Sequence, residues 1–307
     1  MKKKSFVLHS FALLTLLALP TFSNAQLLYR ISGNGLEKPS YIVGTYHLAP
    51  GSFADSIPGL TEAFGSCKQI CGELDMQDAL KEENRTSFEK AQFLPEGTTF
   101  SSLLTKEQMD KVNVLMRETM GVDMTNPALA AQFDKMTPAA ISTTLTLLAY
   151  MKKIPNINPM DLLDGHLQQI AAKQGMEVKG FESVEFQASV LYGTPLEKQV
   201  EELMCLVDNF DDAIEMAEFV TAAYFSQDLD RLQEELDGES DDPCTSSSPE
   251  DNERLIYNRN ANWVKAMPEI MKEAPTFFAV GAAHLCGEKG VLRLLEAAGY
   301  KIEGVKK

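Results

Sequence analysis

The sequence predicts an α/β protein on three observations. Short β-prone runs gather near both ends of the chain, at Leu27–Ile31, Tyr41–Val43 and Thr276–Val280. Between them, from about residue 76 to residue 236, the pattern is mostly helical, cut by turn residues into segments of ordinary helix length. The chain closes on a strand–helix–strand unit, Thr276–Val280, Gly287–Ala298 and Tyr300–Val305, a connection that favours parallel pairing of its two strands.

In chain order, Met1 to Ala25 read as a secretory signal. Lys2, Lys3 and Lys4 form a basic start, Phe11–Leu19 an apolar core, and Ser23-Asn-Ala25 a small-x-small cleavage site. The apolar run is too short for a retained membrane span. Because Gln26 rather than a cysteine comes next, nothing points to lipid attachment. The expectation is a periplasmic or secreted protein cut after Ala25. Residues 26–307 are then long enough to bury a sizeable core as one domain.

Leu27–Ile31 ends at Ser32-Gly-Asn-Gly35, a strand and turn signal, and Tyr41–Val43 supplies a second strand. The pair reads as a hairpin that delivers His47 at its outgoing end. Pro50, Gly51, Pro58 and Gly59 break the next stretch, ahead of a short helix at Leu60–Phe64. Gln69–Leu74 is a third strand, with Glu73 and Asp75 at its end, where α/β proteins build sites.

In the helical region, Thr105-Lys-Glu-Gln108 is a capping box opening a helix through Met120. Thr137-Pro138 opens another. Its apolar stretch, through Tyr150, is too short to span a bilayer. Met160–Gln174 is amphipathic and stops at Gly175. His166, one turn from both Leu162 and Ile170, reads as a packed helix-face histidine. Glu177–Glu182 is then a strand carrying a carboxylate at its end. Pro195–Leu206 and Ala213–Tyr224 are helices with acidic, solvated faces. The acidic, Gly/Ser/Pro-rich stretch 237–249 reads as a loop, and its ligand spacing does not fit an EF-hand. Glu250–Lys272 is helical, kinked or broken at Pro268, and carries Arg259 and the only tryptophan, Trp263.

The formal charge of −16 becomes −19 once the three N-terminal lysines leave with the signal. Such a surface repels phosphate backbones and anionic headgroups, which argues against nucleic-acid and peripheral membrane partners. Five cysteines form neither a thioredoxin dithiol nor a zinc ribbon; Cys205 with Cys244 is the expected bridge around the acidic loop.

The chemistry centres on a repeated frame. Gly44-Thr-Tyr-His47 and Gly281-Ala-Ala-His284 each come after a β-prone run, although the chain has only four histidines. Strand-end glycines let the backbone turn sharply or approach a ligand closely. His47, Glu73 and His284 then form a facial set suited to Zn, Mn, Fe or Co, which would activate water for hydrolysis. A metal-free reading uses one histidine as general base, Glu73 to orient it, and Arg259 or the other histidine to steady an oxyanion. In a third, the histidines only hydrogen-bond across the sheet edge. Arg259 is either a clamp for a substrate carboxylate or oxyanion, or a partner of one of the many acids. There is no H-E-x-x-H, G-x-S-x-G or phosphate loop.

Taken together, Tyr-Ile-Val-Gly-Thr-Tyr-His47, Gly-Glu73-Leu-Asp75, Gly-Phe-Glu182-Ser, Arg259-Asn260 and Val-Gly-Ala-Ala-His284 followed by Gly-Val-Leu-x-Leu-Leu resemble the TraB/PrgY/GumN family, which includes the Tiki metalloproteases. The resemblance spans nearly the whole chain after Ala25. It implies a central mixed sheet with flanking helices, similar to erythromycin-esterase and ChaN-like folds, and, for the Tiki branch, metal-dependent peptidase activity with Mn or Co. Carried over by position, His47 and His284 match the paired histidines, Glu73 and Glu182 the glutamates, and Arg259 the late arginine. Tyr46 and Phe181 depart from the family pattern without altering a ligand. The resulting expectation is a metal-dependent peptidase using Mn, Co or Zn at His47, Glu73 and His284. Glu182 supports the site and Arg259 contacts the substrate, a peptide or small molecule. The alternative is a non-catalytic binding protein for a peptide signal, haem or iron.

Overall fold

The computed structural model describes residues 26–153, 158, 161–236, 244 and 248–306. The expected signal segment and most of the acidic loop lie outside these residues.

Six strands form one mixed sheet: β1 Leu28–Gly33, β2 Ser40–Thr45, β3 Gln69–Gly72, β4 Glu177–Gly180, β5 Thr276–Gly281 and β6 Tyr300–Gly304. Their order is β4-β3-β5-β2-β1-β6. The expected hairpin is present, with Leu28 opposite Val43 and Ile31 opposite Ser40. Its turn places Gly33, Asn34 and Gly35 at positive φ, which glycine and asparagine adopt readily.

The pairing expected for the last two strands is not found. β5 has β3 on one edge and β2 on the other, both parallel, while β6 pairs antiparallel with β1 at the far edge. β5 and β6 therefore run the same way, but the hairpin lies between them. Both edges of β5 are occupied, so the final strand takes the hairpin's remaining free edge. β5 is buried along Thr276–Val280, as the interior of a parallel sheet requires.

The helices that shape the molecule are α1 Leu60–Ser66, α2 Lys106–Met120, α3 Pro138–Lys153, α4 Leu163–Lys173, α5 Val184–Tyr192, α6 Leu196–Asp208, α7 Phe210–Phe225, α8 Asn258–Glu273 and α9 Val291–Ala297. The capping box of α2 forms in both directions, between Thr105 and Gln108. The main core wraps the sheet with Ile42, Val43, Ile70, Phe277, Phe278, Trp263 and Met267. A second core, built from Phe100, Met116, Ile141, Leu145 and Leu203, joins α2, α3 and α6. Among the described residues no helix is long and apolar enough to cross a membrane.

The expected break at Pro268 is absent, because α8 runs through it to Glu273. Its buried Trp263, Met267 and Met271 hold the helix against the sheet, so packing overrides the lost backbone bond. The irregularity lies earlier, in a π turn at Glu253–Tyr257. α9 begins at Val291 rather than Gly287; the turn leading into it has Gly287 at positive φ. Cys205 and Cys244 form the expected disulfide. Burial pushes the Cys67 and Cys71 thiols up to about 12, which keeps them protonated and unreactive.

What positions the site is strand direction. β4, β3, β5 and β2 are adjacent and mutually parallel, so their carboxyl ends share one sheet edge. Gly180 seals that edge: a β-carbon there would lie 2.7 Å from the Leu74 carbonyl carbon. Gly180→Ala is expected to lower stability by about 1–3 kcal/mol, as overpacking does. Denaturant titration checks this, and an unchanged midpoint would show that the β3 and β4 ends are not in close contact.

Candidate active site

The four parallel strands deliver the residues at their ends in spatial order: Glu182 after β4, Glu73 after β3, His284 after β5 and His47 after β2. The carboxyl edge of a parallel sheet is where such folds commonly bind ligands. Local backbone bonds tie the outer strand ends together, since Phe181 N–H donates to Gly72 O and Glu182 N–H to Glu73 O, both at 3.0 Å.

The two G-x-x-H glycines act by closeness rather than by turning, for neither has positive φ. A β-carbon on Gly44 would lie 3.0 Å from Ala282 Cα and Leu285 Cδ1. The first glycine thus seats the short 3-10 turn Ala282–Leu285 that carries the second histidine. At Gly281, a β-carbon would approach Glu73 Oε1 to 3.2 Å, and the bare backbone N–H donates to that oxygen at 2.8 Å.

Arg259, reaching in from α8, is the hub. Nε donates to Glu182 Oε1 at 2.8 Å; Nη2 donates to Glu73 Oε2 at 2.6 Å and Glu182 Oε2 at 2.8 Å. Nη1 donates to Leu255 O at 2.9 Å, a carbonyl of the π turn, and to His284 Nε2 at 3.1 Å. A guanidinium has five N–H donors, and all five are used on protein groups. Of the two readings of Arg259, the placement carries the pairing with acids, and these are the acids of the site. Gln187 Nε2 bridges the same two carboxylates, at 3.3 Å from Glu73 and 3.2 Å from Glu182.

His284 is 4% exposed. Its Nδ1–H donates to Asn260 Oδ1 at 2.7 Å, because the Asn260 amide nitrogen is committed to the His284 and Lys289 carbonyls. That leaves the Nε2 lone pair facing Arg259, 3.8 Å from Glu73 Oε1. The Trp263 ring covers the imidazole at 4.4 Å, with its Nε1–H on Glu182 Oε1 at 2.8 Å. Burial pushes His284 down to about 3, against the opposing pull of Glu73, so the ring is neutral at pH 7. Burial alone would raise Glu73. The surrounding positive charge, from the histidines when protonated and from Arg259 always, together with the Gly281 N–H, instead carries its carboxyl down to about 2.

His47 is different. Its side chain is 69% exposed, at the mouth, and Nδ1 lies 3.3 Å from Asp164 Oδ2. Asp164 raises it to about 9, first through its charge and then through that hydrogen bond. The pair's stabilisation is complete below pH 6.5 and is lost as pH rises through 9; at this exposure it contributes roughly 1 kcal/mol or less.

The model of the TraB/PrgY/gumN family matches residues 27–304, a span that takes in all four strand ends of this edge. The chain belongs to that family. A search of curated proteins finds the Metalloprotease TIKI2 of Danio rerio, 26% identical over 86% of this chain and 58% of that protein. It also finds the Metalloprotease TIKI1 of Xenopus tropicalis, 23% identical over 87% of this chain and 59% of that protein. The chain thus spans under two thirds of the length of these relatives. No solved structure matches it.

In this TraB/PrgY/gumN member the structure brings Glu73, Glu182, His284 and Arg259 into mutual contact, and sets His47 beside them with its ring turned to Asp164. Among the described residues no three His, Cys, Asp or Glu side chains already stand as a metal cluster. The donor chemistry nevertheless fits a divalent transition-metal ion. His284 offers a neutral imidazole with its tautomer held by Asn260, Glu73 an ionised carboxylate 3.8 Å away, and His47 a third donor at the next strand end. Sequence reasoning missed Asp164, Asn260 and Gln187. Asn260 stood next to Arg259 in the family motif; nothing local marked Asp164 or Gln187. His166, which drew attention as a histidine, pairs with Asp161 at 2.8 Å on the flank of α4.

Proposed function

We propose that this protein is an exported metal-dependent hydrolase that cleaves peptides. The carrying observation is the convergence of two histidines and two glutamates on one edge of four parallel strands, with His284 Nε2, which accepts from Arg259, 3.8 Å from Glu73 Oε1. The printed name of both relatives, metalloprotease, supports the choice of reaction. His284, Glu73 and His47 would hold the ion, Mn, Co or Zn. When bound, such an ion lowers the pKa of water and polarises a carbonyl.

The chain's own residues do the rest. Asn260 fixes the His284 ring, Trp263 excludes water from its face, and Arg259 holds the Glu73 and Glu182 side chains together. His47 at the mouth can hold or accept a proton through Nε2, and it must lose its proton before it can ligate a cation. A cleft of about 240 Å³ beside Glu182, walled by Phe181, Phe186 and Trp263, offers apolar surface for a substrate side chain. The acidic net charge disfavours nucleic acid as substrate.

The test is elemental analysis of the purified protein beside His284→Ala, combined with cleavage of a mixed peptide library followed by mass spectrometry. Near-stoichiometric Mn, Co or Zn in wild type, its loss in the variant, and chelator-sensitive cleavage are expected. Cleavage that survives both chelator and His284→Ala would overturn the metal mechanism. Peptide binding with intact peptide recovered, or a Soret band on haem titration, would favour a non-catalytic binding protein.

A further inference from the structure

We infer that Asp164 is a positioning residue for His47, the counterpart of Asn260 for His284. The two histidines are held by one design. In each, Nδ1 faces a side-chain oxygen brought by a neighbouring helix, Asn260 Oδ1 at 2.7 Å and Asp164 Oδ2 at 3.3 Å. An ionised carboxylate can only accept, so Nδ1 of His47 carries the proton in this bond. In the neutral ring the lone pair is then on Nε2.

The carboxylate is itself fixed. Its other oxygen, Oδ1, accepts from Thr45 Oγ1 at 2.6 Å. One carboxylate therefore bridges two residues of the strand end that precedes the mouth. The Asp164 side chain is 19% exposed against 69% for His47, so the buried partner orients the exposed one. Nearby Asp161 is not a competitor, because it is engaged by His166 Nδ1 at 2.8 Å.

The reach of Asp164 is set by docking of the α4 N-terminus. Leu163 N–H donates to Ala49 O and Gly51 N–H to Asp161 O, each at 2.9 Å, and Pro50 bridges Leu162. These bonds staple the chain just after His47 to the first turn of α4. A β-carbon on Gly51 would fall 2.5 Å from the His166 ring, so the Pro50-Gly51 break is what lets the helix close in. Without the carboxylate, a ring this exposed has no other side-chain partner among those described and is free to turn its lone pair away.

This inference rests on His47 being a ligand of the proposed site, and its test separates the two. The full mature chain, labelled with 15N-histidine, is recorded at pH 10 so that the ring is neutral, with the His47 signal assigned by its loss in His47→Gln. Wild type is expected to show the Nδ1–H tautomer at His47. Asp164→Asn should keep it, as Asn260 does for His284, and Asp164→Ala should shift it to the Nε2–H tautomer. Zn2+ affinity by calorimetry should fall about 10–100-fold in Asp164→Ala, the usual effect of losing such a partner, and less in Asp164→Asn. Should Asp164→Ala not fold, Thr45→Val, which frees the carboxylate at its other oxygen, is expected to weaken Zn2+ several-fold. An Nδ1–H tautomer retained in Asp164→Ala, or unchanged Zn2+ affinity in Thr45→Val with Asp164→Ala unfolded, would overturn the inference. Failure of wild type to bind Zn2+ would instead strike at the proposed function, and the tautomers would still decide the role of Asp164.

Discussion

Arg259→Met is expected to lower the stability of the metal-free protein by about 3–5 kcal/mol, the usual penalty for removing one partner of a buried ion pair. Glu73 and Glu182 have side chains only 9% and 5% exposed. With the guanidinium gone, two carboxylates face each other away from water with only Gln187, Trp263 and the Gly281 N–H to satisfy them. Methionine preserves much of the volume and the contact with Trp263, so the loss reports charge rather than packing. Arg259→Lys should fall between, since a point charge on a flexible stem cannot serve five directions. Urea titration measures all three proteins at pH 7. A loss below about 1 kcal/mol in Arg259→Met would show that the acids are held by something other than this arginine.

Acidification should unfold the protein in two overlapping windows. His284 is depressed from 6.5 to about 3. Below pH 6.5 the unfolded chain takes up a proton that the folded ring refuses, and stability falls until pH 3. Glu73 is depressed from 4.5 to about 2, so its contribution is complete above pH 4.5 and lost as pH falls toward 2. At about 1.4 kcal/mol per unit of pKa, the combined loss is several kcal/mol. In His284→Gln the upper window should disappear and the lower should shrink, because the charge of protonated His284 is first among the causes that hold Glu73 down. A stability curve that is flat from pH 6.5 to 4.5 in wild type would contradict the neutral, buried state of His284.

Much of this site is legible in the amino-acid sequence. Histidines in matched G-x-x-H frames, and glutamates at the ends of β-prone runs, are local patterns, and each run forms a strand with its histidine or glutamate just past the strand's end. The capping box at Thr105 and the Cys205–Cys244 bridge are legible too, the first from short-range bonding rules and the second from a cysteine set within the acidic loop, with Cys205 on a preceding helix to receive it. Arg259 is visible as a charge, but its role is not. Its partners lie 186 and 77 residues away in the chain.

Local sequence by itself determined which segments are strands and helices, because side-chain periodicity, caps and glycines act within a few residues. Tertiary structure decided how those strands are ordered. Periodicity marks a strand without naming its neighbour, and β6 went to the hairpin's free edge although a strand–helix–strand unit favours pairing with β5. That ordering turned four separate strand ends into one edge. It gave Gly44 its task of seating the turn that carries His284, committed every donor of Arg259 to protein, and brought Asp164 across 117 residues to His47. Contacts at such separations depend on which surfaces the folded core brings together, and no local pattern encodes them.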